Sequence, residues 1–288
     1  SDDGKLWDLI IKSAWESAEP GIVFLERYNN ESNSWYFSEL VATNPCGEQG
    51  LPAFGVCNLG HLVLPRFYDE ENNDVLWDEL ERAVKLSVRL QDNIIDYTKY
   101  FLKENEDVQL NERRVGIGSM GLGTLLIKLG LRYGSDKADK FIDELYKFIA
   151  YHQYKASIEL AKEKGSFTNF DYDKFIQSGF MKRLLNEFPD LKSELKKYGI
   201  RNVTLSTQAP TGSTATYIDN IPYFREKFGG VTTGSEPYFS WEYWRAGRLG
   251  VTKQTVGLAK NYMESYNLKS IKDLPNHFVT AMDLKPED

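Results

Sequence analysis

The chain has 288 residues, 41% hydrophobic, 14% aromatic and 27% charged. That is enough to bury a large core, as one big α/β domain or two smaller ones, and too apolar for disorder. The net charge of −7 gives no electrostatic reason to wrap a nucleic-acid backbone, and no apolar run approaches the roughly 18 residues that span a bilayer. Two cysteines exclude a disulfide-stapled scaffold and suit a reducing cytoplasm.

The polar start Ser1-Asp2-Asp3-Gly4-Lys5 does not read as a signal peptide. Leu6, Ile10 and Ala14 at helical spacing predict a helix over Leu6–Ser17, ended by Pro20-Gly21. Gly21–Leu25 reads as a short buried strand, Arg27–Tyr36 as a polar stretch, and Thr43–Gly60 as a loop holding both cysteines. A strongly periodic helix is expected from Leu76 to about Leu102, a strand over Arg114–Gly118, and a helix over Leu122–Leu129. Asp136 is placed as the cap of a long helix to about Lys164, on which His152 shares a face with Leu145 and Phe148 and so reads as packing rather than ligating. A charged helical stretch follows near Lys182–Tyr198, then a strand over Asn202–Thr207. An aromatic-rich segment lies at Phe239–Trp244, a helix near Thr252–Met263, and the tail ends at Pro286-Glu287-Asp288. Strand, helix, strand suggests parallel crossover units.

Three histidines (His61, His152, His277) and two cysteines, scattered, make a poor zinc site, so no metal is expected. The run Asn44-Pro45-Cys46-Gly47-Glu48-Gln49 is richer. In an extended backbone its amide, thiol and carboxylate, at alternate positions, would share one face, and Pro45 favours extension at Asn44. That is a hydrogen-bonding group, a sulfur centre and a general base in one place. Cys57 lies eleven positions after Cys46. The residue types equally suit two buried small hydrophobes in turns.

Ser206–Ala215 runs off the expected strand into small hydroxyl residues around Gly212. Pro210, Thr211, Gly212, Ser213 and Thr214, in a turn of about residues 209–215, are candidates for binding phosphate through backbone N–H groups and a helix N-terminus; an ordinary Ser/Thr turn is the plain alternative. Gly116-Ile117-Gly118-Ser119-Met120-Gly121 matches the dinucleotide-binding string. The acidic residues at the right distance, Asp136 and Asp139, open a helix instead of ending a strand, so the glycines are expected to serve helix–strand packing.

Asn44–Gln49 followed by Cys57-Asn58-Leu59-Gly60 resembles the finger-loop signature of ribonucleotide reductase catalytic subunits. The short interval between the cysteines is more similar to the adenosylcobalamin-dependent class than to the diferric-subunit class. Ala209-Pro210-Thr211-Gly212-Ser213 resembles the family's phosphate-binding segment. Thr233-Gly234-Ser235-Glu236-Pro237 is similar to its Gly-Ile-Glu-Pro, with Ser235 where Ile is usual. Arg113–Gly118, with Met120-Gly121-Leu122 and Lys128-Leu129-Gly130, resembles a barrel strand and its helix.

The resemblance implies part of a ten-stranded α/β barrel with a central finger loop at about residues 43–60, residues 1–288 forming one partial barrel domain. It implies Cys46 as the thiyl-radical residue, Glu48 as the base for the 3′-hydroxyl, Asn44 as a ribose hydrogen bonder, and Cys57 as half of the reducing dithiol. It further implies adenosylcobalamin, an external dithiol such as thioredoxin, and a ribonucleotide substrate, with diphosphate and triphosphate both open; it allows a homodimer. The family's earlier half carries the allosteric specificity site and the thiol that pairs with Cys57, so the chain is expected to be a piece that needs this N-terminal half for turnover. Three rivals stand: a diferric-class large-subunit fragment, a dinucleotide-dependent oxidoreductase using Gly116–Gly121, and a catalytically silent structural piece.

Overall fold

In this computed structural model, which describes residues 3–247 and 250–285, the chain opens with helix α1 (Asp3–Ser17), as expected. The polar start Ser1-Asp2 and the tail Pro286-Glu287-Asp288 lie outside the described residues. The strand expected at Gly21–Leu25 does not form. Residues 21–24 are irregular and exposed, and Leu25 begins α2 (Leu25–Glu31), because no second strand lies alongside to accept the ladder.

The segment read as one loop contains three short strands: β1 (Ala42–Thr43), β2 (Gly50–Leu51) and β3 (Asn58–Val63). A small hairpin, β4 (Tyr68–Asp69) with β5 (Asp74–Val75), leads into the long helix α3 (Trp77–Tyr97). A separate helix α4 (Lys103–Glu112) follows, not foreshadowed because its composition is mostly polar, with only Val108 and Leu110 apolar. Then come β6 (Val115–Met120), α5 (Leu122–Lys128) and α6 (Asp136–Lys164). The cap of α6 is Ser135, whose Oγ accepts from Ala138 N–H at 3.3 Å; Asp136 is its first helical residue. Helix α7 (Tyr172–Phe175) precedes α8 (Gly179–Glu187) and α9 (Asp190–Tyr198), the single charged stretch being broken at Phe188-Pro189. Helices α10 (Gly212–Asp219) and α11 (Pro222–Phe228) lead to the hairpin β7 (Glu242–Gly247) and β8 (Gly250–Thr255), then α12 (Gly257–Ser265). The helix expected near Thr252–Met263 therefore starts at Gly257, residues up to Thr255 pairing with β7 instead.

Strands β3 and β6 pair in parallel, from Asn58↔Val115 to Val63↔Met120, with α3 and α4 as the crossover between them. Residues 204–207 run along the other edge of β6. Ile117 N–H donates to Leu205 O at 2.7 Å, and Ile117 bridges Ser206 in parallel. The strand expected over Asn202–Thr207 is thus reduced to one bridge, yet the parallel crossover pattern holds. Every residue of β6 is buried. Val115 and Ile117 enter a core with Phe167, Phe175 and Leu195, while Leu80 and Val84 of α3 meet Leu125 and Leu145 in a second core. The architecture is mixed α/β; among the described residues the strands pair in twos and no barrel closes. No helix among them is long and apolar enough to cross a membrane.

A buried carboxylate ties these elements together. Asp92 of α3 is fully buried and accepts from Arg113 Nε at 2.7 Å, Lys164 Nζ at 3.2 Å, Arg201 Nε at 3.3 Å and Asn202 Nδ2 at 3.2 Å. Asn202 is itself fully buried. Burial alone would raise the Asp92 pKa, but Arg113, Arg201 and Lys164 hold it below the ordinary carboxylate value. Replacing Asp92 by Ala strips these cations of their shared anion and is expected to cost about 3–5 kcal/mol, seen as a lower urea midpoint at neutral pH. Because the folded pKa is depressed, this stabilisation is complete above the unfolded value of about 3.9 and is lost as pH falls through the folded one. The wild-type and Asp92→Ala midpoints are therefore expected to converge in strong acid.

Candidate active site around the cysteine loop

The two-residue strands β1 and β2 pair antiparallel, Ala42↔Leu51 and Thr43↔Gly50, and carry the cysteine run at their tip. The backbone there is not extended. Asn44 N–H donates to Gln49 O and Gly47 N–H to Asn44 O, each at 3.0 Å, closing a turn with Gly47 at φ 81°. Pro45 presets the first corner of such a turn, and glycine alone takes the positive φ without cost. The expected alternation of Asn44, Cys46 and Glu48 on one face is thereby corrected. Asn44 spends its side-chain oxygen inside the loop, accepting from Gln49 N–H at 3.0 Å, and Cys46 stands exposed at the tip. Glu48 turns inward, its Oε2 shut from solvent with no hydrogen-bond partner.

Residues flanking β6 anchor the base of this hairpin. Arg114, almost wholly buried, pairs with Glu112 at 2.9 Å and donates to Gly50 O at 3.4 Å and Ser34 Oγ at 3.3 Å. Tyr28 OH accepts from Gly50 N–H at 2.7 Å. On the far edge, Thr207 Oγ1 donates to Glu48 O at 3.0 Å, tying the loop to the segment that leads into the phosphate turn.

Period-two alternation sorts β3 into two faces. Asn58 bonds Gln91 O, and a Cβ on Gly60 would meet Gln91, so both look toward α3. Cys57, Leu59, His61 and Val63 take the other parity. Opposite them in register stand Gly116, Gly118 and Met120. A Cβ at Gly118 would come within 2.4 Å of Thr207 O and 3.2 Å of His61 Cδ2; one at Gly116 would press on Leu59, Thr207 and Gln49. These two glycines therefore lie inside the strand, and their space is filled by this chain's own loop and the segment through Thr207. They serve strand-to-loop contact where helix-to-strand packing was expected, and they leave the floor of the site flat.

Electrostatics links the same groups. Burial pushes the Cys57 thiol up to about 12, with Arg114 pulling down and Glu48 pushing up, so Cys57 is held protonated. Burial also lowers the His61 pKa, against the charge of Glu48. His61 Nε2, like Glu48 Oε2, is shut from solvent without a partner. Neither His61 nor Thr207 was singled out from sequence for this site. The parity of Cys57 and His61 would have shown it, had residues 58–63 been read as a strand. His152 packs between Phe148 and Tyr151, as its helical face suggested.

The phosphate candidates sit at the start of α10. Thr211, in left-handed conformation at φ 53°, precedes the helix and offers it no side-chain cap. The first intrahelical bond runs from Ala215 N–H to Thr211 O, which leaves the N–H groups of Gly212, Ser213 and Thr214 outside the ladder, on exposed residues. The Thr211 hydroxyl accepts from Gly234 N–H at 2.8 Å, so the stretch Thr233–Pro237 packs against this turn. Val63 at the end of β3 and Ile218 of α10 both pack against the cluster of Met120, Ala215 and Val231, placing α10 near the face that begins at Cys57. A cavity of about 720 Å³ opens behind α10, lined by Asp219, Arg225, Tyr238 and Lys260 and by no residue of the cysteine loop.

The chain is similar to the vitamin B12-dependent ribonucleoside-diphosphate reductase of Thermoplasma acidophilum, 28% identical across 98% of this chain and 35% of that protein. The Mycobacterium tuberculosis H37Rv protein of the same name is 32% identical across 84% of the chain and 30% of its own length. The ribonucleoside-diphosphate reductase large chain of Neurospora crassa is 29% identical across 94% and 31%. The chain thus spans about a third of the length of these relatives. The family model for the ribonucleotide reductase barrel domain matches residues 2–287, and on that near-complete match the chain belongs to this family.

Proposed function

We propose that this chain carries the radical and reductant chemistry of a ribonucleotide reductase catalytic subunit, acting within a longer protein. The observation that carries the reading is the hairpin turn that exposes Cys46 while turning the unpaired Glu48 carboxylate inward, within electrostatic reach of Cys57. In this reading the sulfur of Cys46, as a thiyl radical, removes the 3′ hydrogen atom of the ribose and later returns it. Glu48 accepts the 3′-hydroxyl proton, and its dry, unpaired oxygen is the acceptor that step requires. Cys57 and a second thiol supply two electrons and two protons as the 2′-hydroxyl leaves as water, ending as a disulfide that an external dithiol such as thioredoxin reduces. A thiol held protonated suits that donor role. Asn44, its oxygen accepting one bond from Gln49 N–H, keeps its amide N–H groups and one oxygen lone pair for a ribose hydroxyl.

The α10 N-terminus, with Pro210, Thr211, Gly212, Ser213 and Thr214, is assigned the substrate phosphates. The relatives' names favour a diphosphate. Names and the short cysteine interval both favour adenosylcobalamin over a diferric partner subunit. When bound, that cofactor would supply the radical that takes the thiol hydrogen atom from Cys46, leaving the unpaired electron on sulfur, and the exposed tip position of Cys46 fits a group approaching from outside the loop. Residues 1–288 are assigned to one partial ten-stranded barrel domain. Leu6, Trp7 and Trp15 of α1, with Val23 and Phe24, present apolar surface that the remaining two thirds of such a protein would cover. Dimerisation is a further proposal, and two free thiols fit a reducing cytoplasm.

In the full-length protein, Cys46→Ser is expected to reduce deoxynucleotide formation to background, and retained turnover would overturn the assignment. Glu48→Gln is expected to slow turnover by about 10²–10⁴-fold with little change in nucleotide binding; omission of adenosylcobalamin should abolish product. Ser213→Asp, placing a negative charge at the α10 N-terminus, is expected to raise the KM for a ribonucleoside diphosphate about tenfold or more while leaving the melting temperature within a few degrees. An unchanged KM would remove the phosphates from that turn.

A further inference from the structure

Two buried polar atoms on this face lack partners: the acceptor Glu48 Oε2 and the ring nitrogen His61 Nε2. Such atoms are costly to bury unpaired, and two of them on one face beside the cysteine loop point to a polar group that binds between them. They occupy one compartment. His61 follows Cys57 on the loop-facing side of β3, and its Cδ2, the atom bonded to Nε2, overlies Gly118. The Thr207 carbonyl overlies the same glycine, while the Thr207 hydroxyl holds the Glu48 backbone. No hydrogen bond joins the imidazole to the carboxylate, so a ligand that satisfies both would bring two polar groups, one to each. Burial keeps the imidazole uncharged at neutral pH despite Glu48, so Nε2 serves a neutral hydroxyl as donor or acceptor. The other charge felt in this compartment is Arg114, already committed to Glu112, Gly50 and Ser34.

We propose that His61 binds substrate directly, its Nε2 hydrogen-bonding the 2′-hydroxyl of the ribose whose 3′-hydroxyl is received by Glu48. The inference rests on the ribonucleotide reading above and adds a sugar contact to it. Position suits the role: His61 lies two residues from Val63, which packs against the cluster that Ala215 of α10 joins, and four from Cys57, so it stands between the phosphate end and the reductant end of one strand face. An imidazole there selects a ribose over a sugar already lacking its 2′-hydroxyl, and so favours release of product.

The test is equilibrium binding to the full-length protein, without cobalamin, of a ribonucleoside diphosphate and its 2′-deoxy and 3′-deoxy analogues. The wild type is expected to bind the ribonucleotide more tightly than either analogue. His61→Leu should lose the preference over the 2′-deoxy analogue, a change of about tenfold or more, and keep the preference over the 3′-deoxy one. His61→Gln, which retains a hydrogen-bonding group, should recover part of it, and matched melting temperatures would show that both variants fold. If His61→Leu discriminates as the wild type does, or loses affinity for all three ligands equally, the His61 contact is wrong while the reductase reading stands. If the wild type binds none of the three, the reductase reading fails instead.

Discussion

Asp92 is the constraint on which the positions of the other elements depend. Its carboxylate collects donors from the turn before β6 (Arg113), from the end of α6 (Lys164), and from the residues that lead into the Thr204–Thr207 stretch (Arg201 and Asn202). A charge fully withdrawn from water is tolerable only when paired and hydrogen-bonded on every side, and here the pairing draws three separate chain segments to one point on α3. Parallel strands cannot be set beside one another by a tight turn, so their alignment must come from elsewhere. This ion cluster supplies it at the start of β6 and of the stretch beside it.

From that fixed end the site is built outward by a second layer of contacts. Arg114, next to Arg113, reaches the carbonyl of Gly50 and so holds the cysteine hairpin by its base. Gly116 and Gly118, further along the same strand, let Gln49 and Thr207 settle directly on the sheet, and Thr207 fastens the backbone of Glu48. The loop itself is only a turn between two-residue strands, too short to hold a conformation alone. Its geometry is borrowed from β6 on one side and from residues 204–207 on the other.

Much of this was legible in the sequence. Helical patterning marked α3, α5 and α6, although α3 ends at Tyr97 instead of near Leu102 and the cap of α6 is Ser135 instead of Asp136, and the prolines and glycines around the two cysteines marked the segment that carries them. What escaped is of one kind. The strand Asn58–Val63 was hidden because its asparagine and glycine are poor strand formers and its apolar residues, Leu59, Leu62 and Val63, fall on both parities and so show no alternation. With it went the parity that joins Cys57 to His61. The loop was taken as extended because Pro45 restricts its neighbour, whereas the turn was decided by Gly47 and by the Asn44 side chain closing on Gln49. Gly21–Leu25 failed in the opposite sense: strand-like composition with no ladder partner. Tertiary contacts settled each of these, and no local pattern records them.

Strand β3 acts as a ruler for whatever lies on it. Its six residues, at roughly 3.3 Å each, set the separation between the sulfur at its entrance and the helix start at its exit. The same rigidity makes its reading frame unforgiving. Inserting or deleting one residue between Cys57 and His61 would rotate one of them to the α3 side, whereas a change of two would preserve facing and alter only reach. Natural length variation in this family should therefore accumulate in the loop before Cys57 and be excluded from the four steps after it.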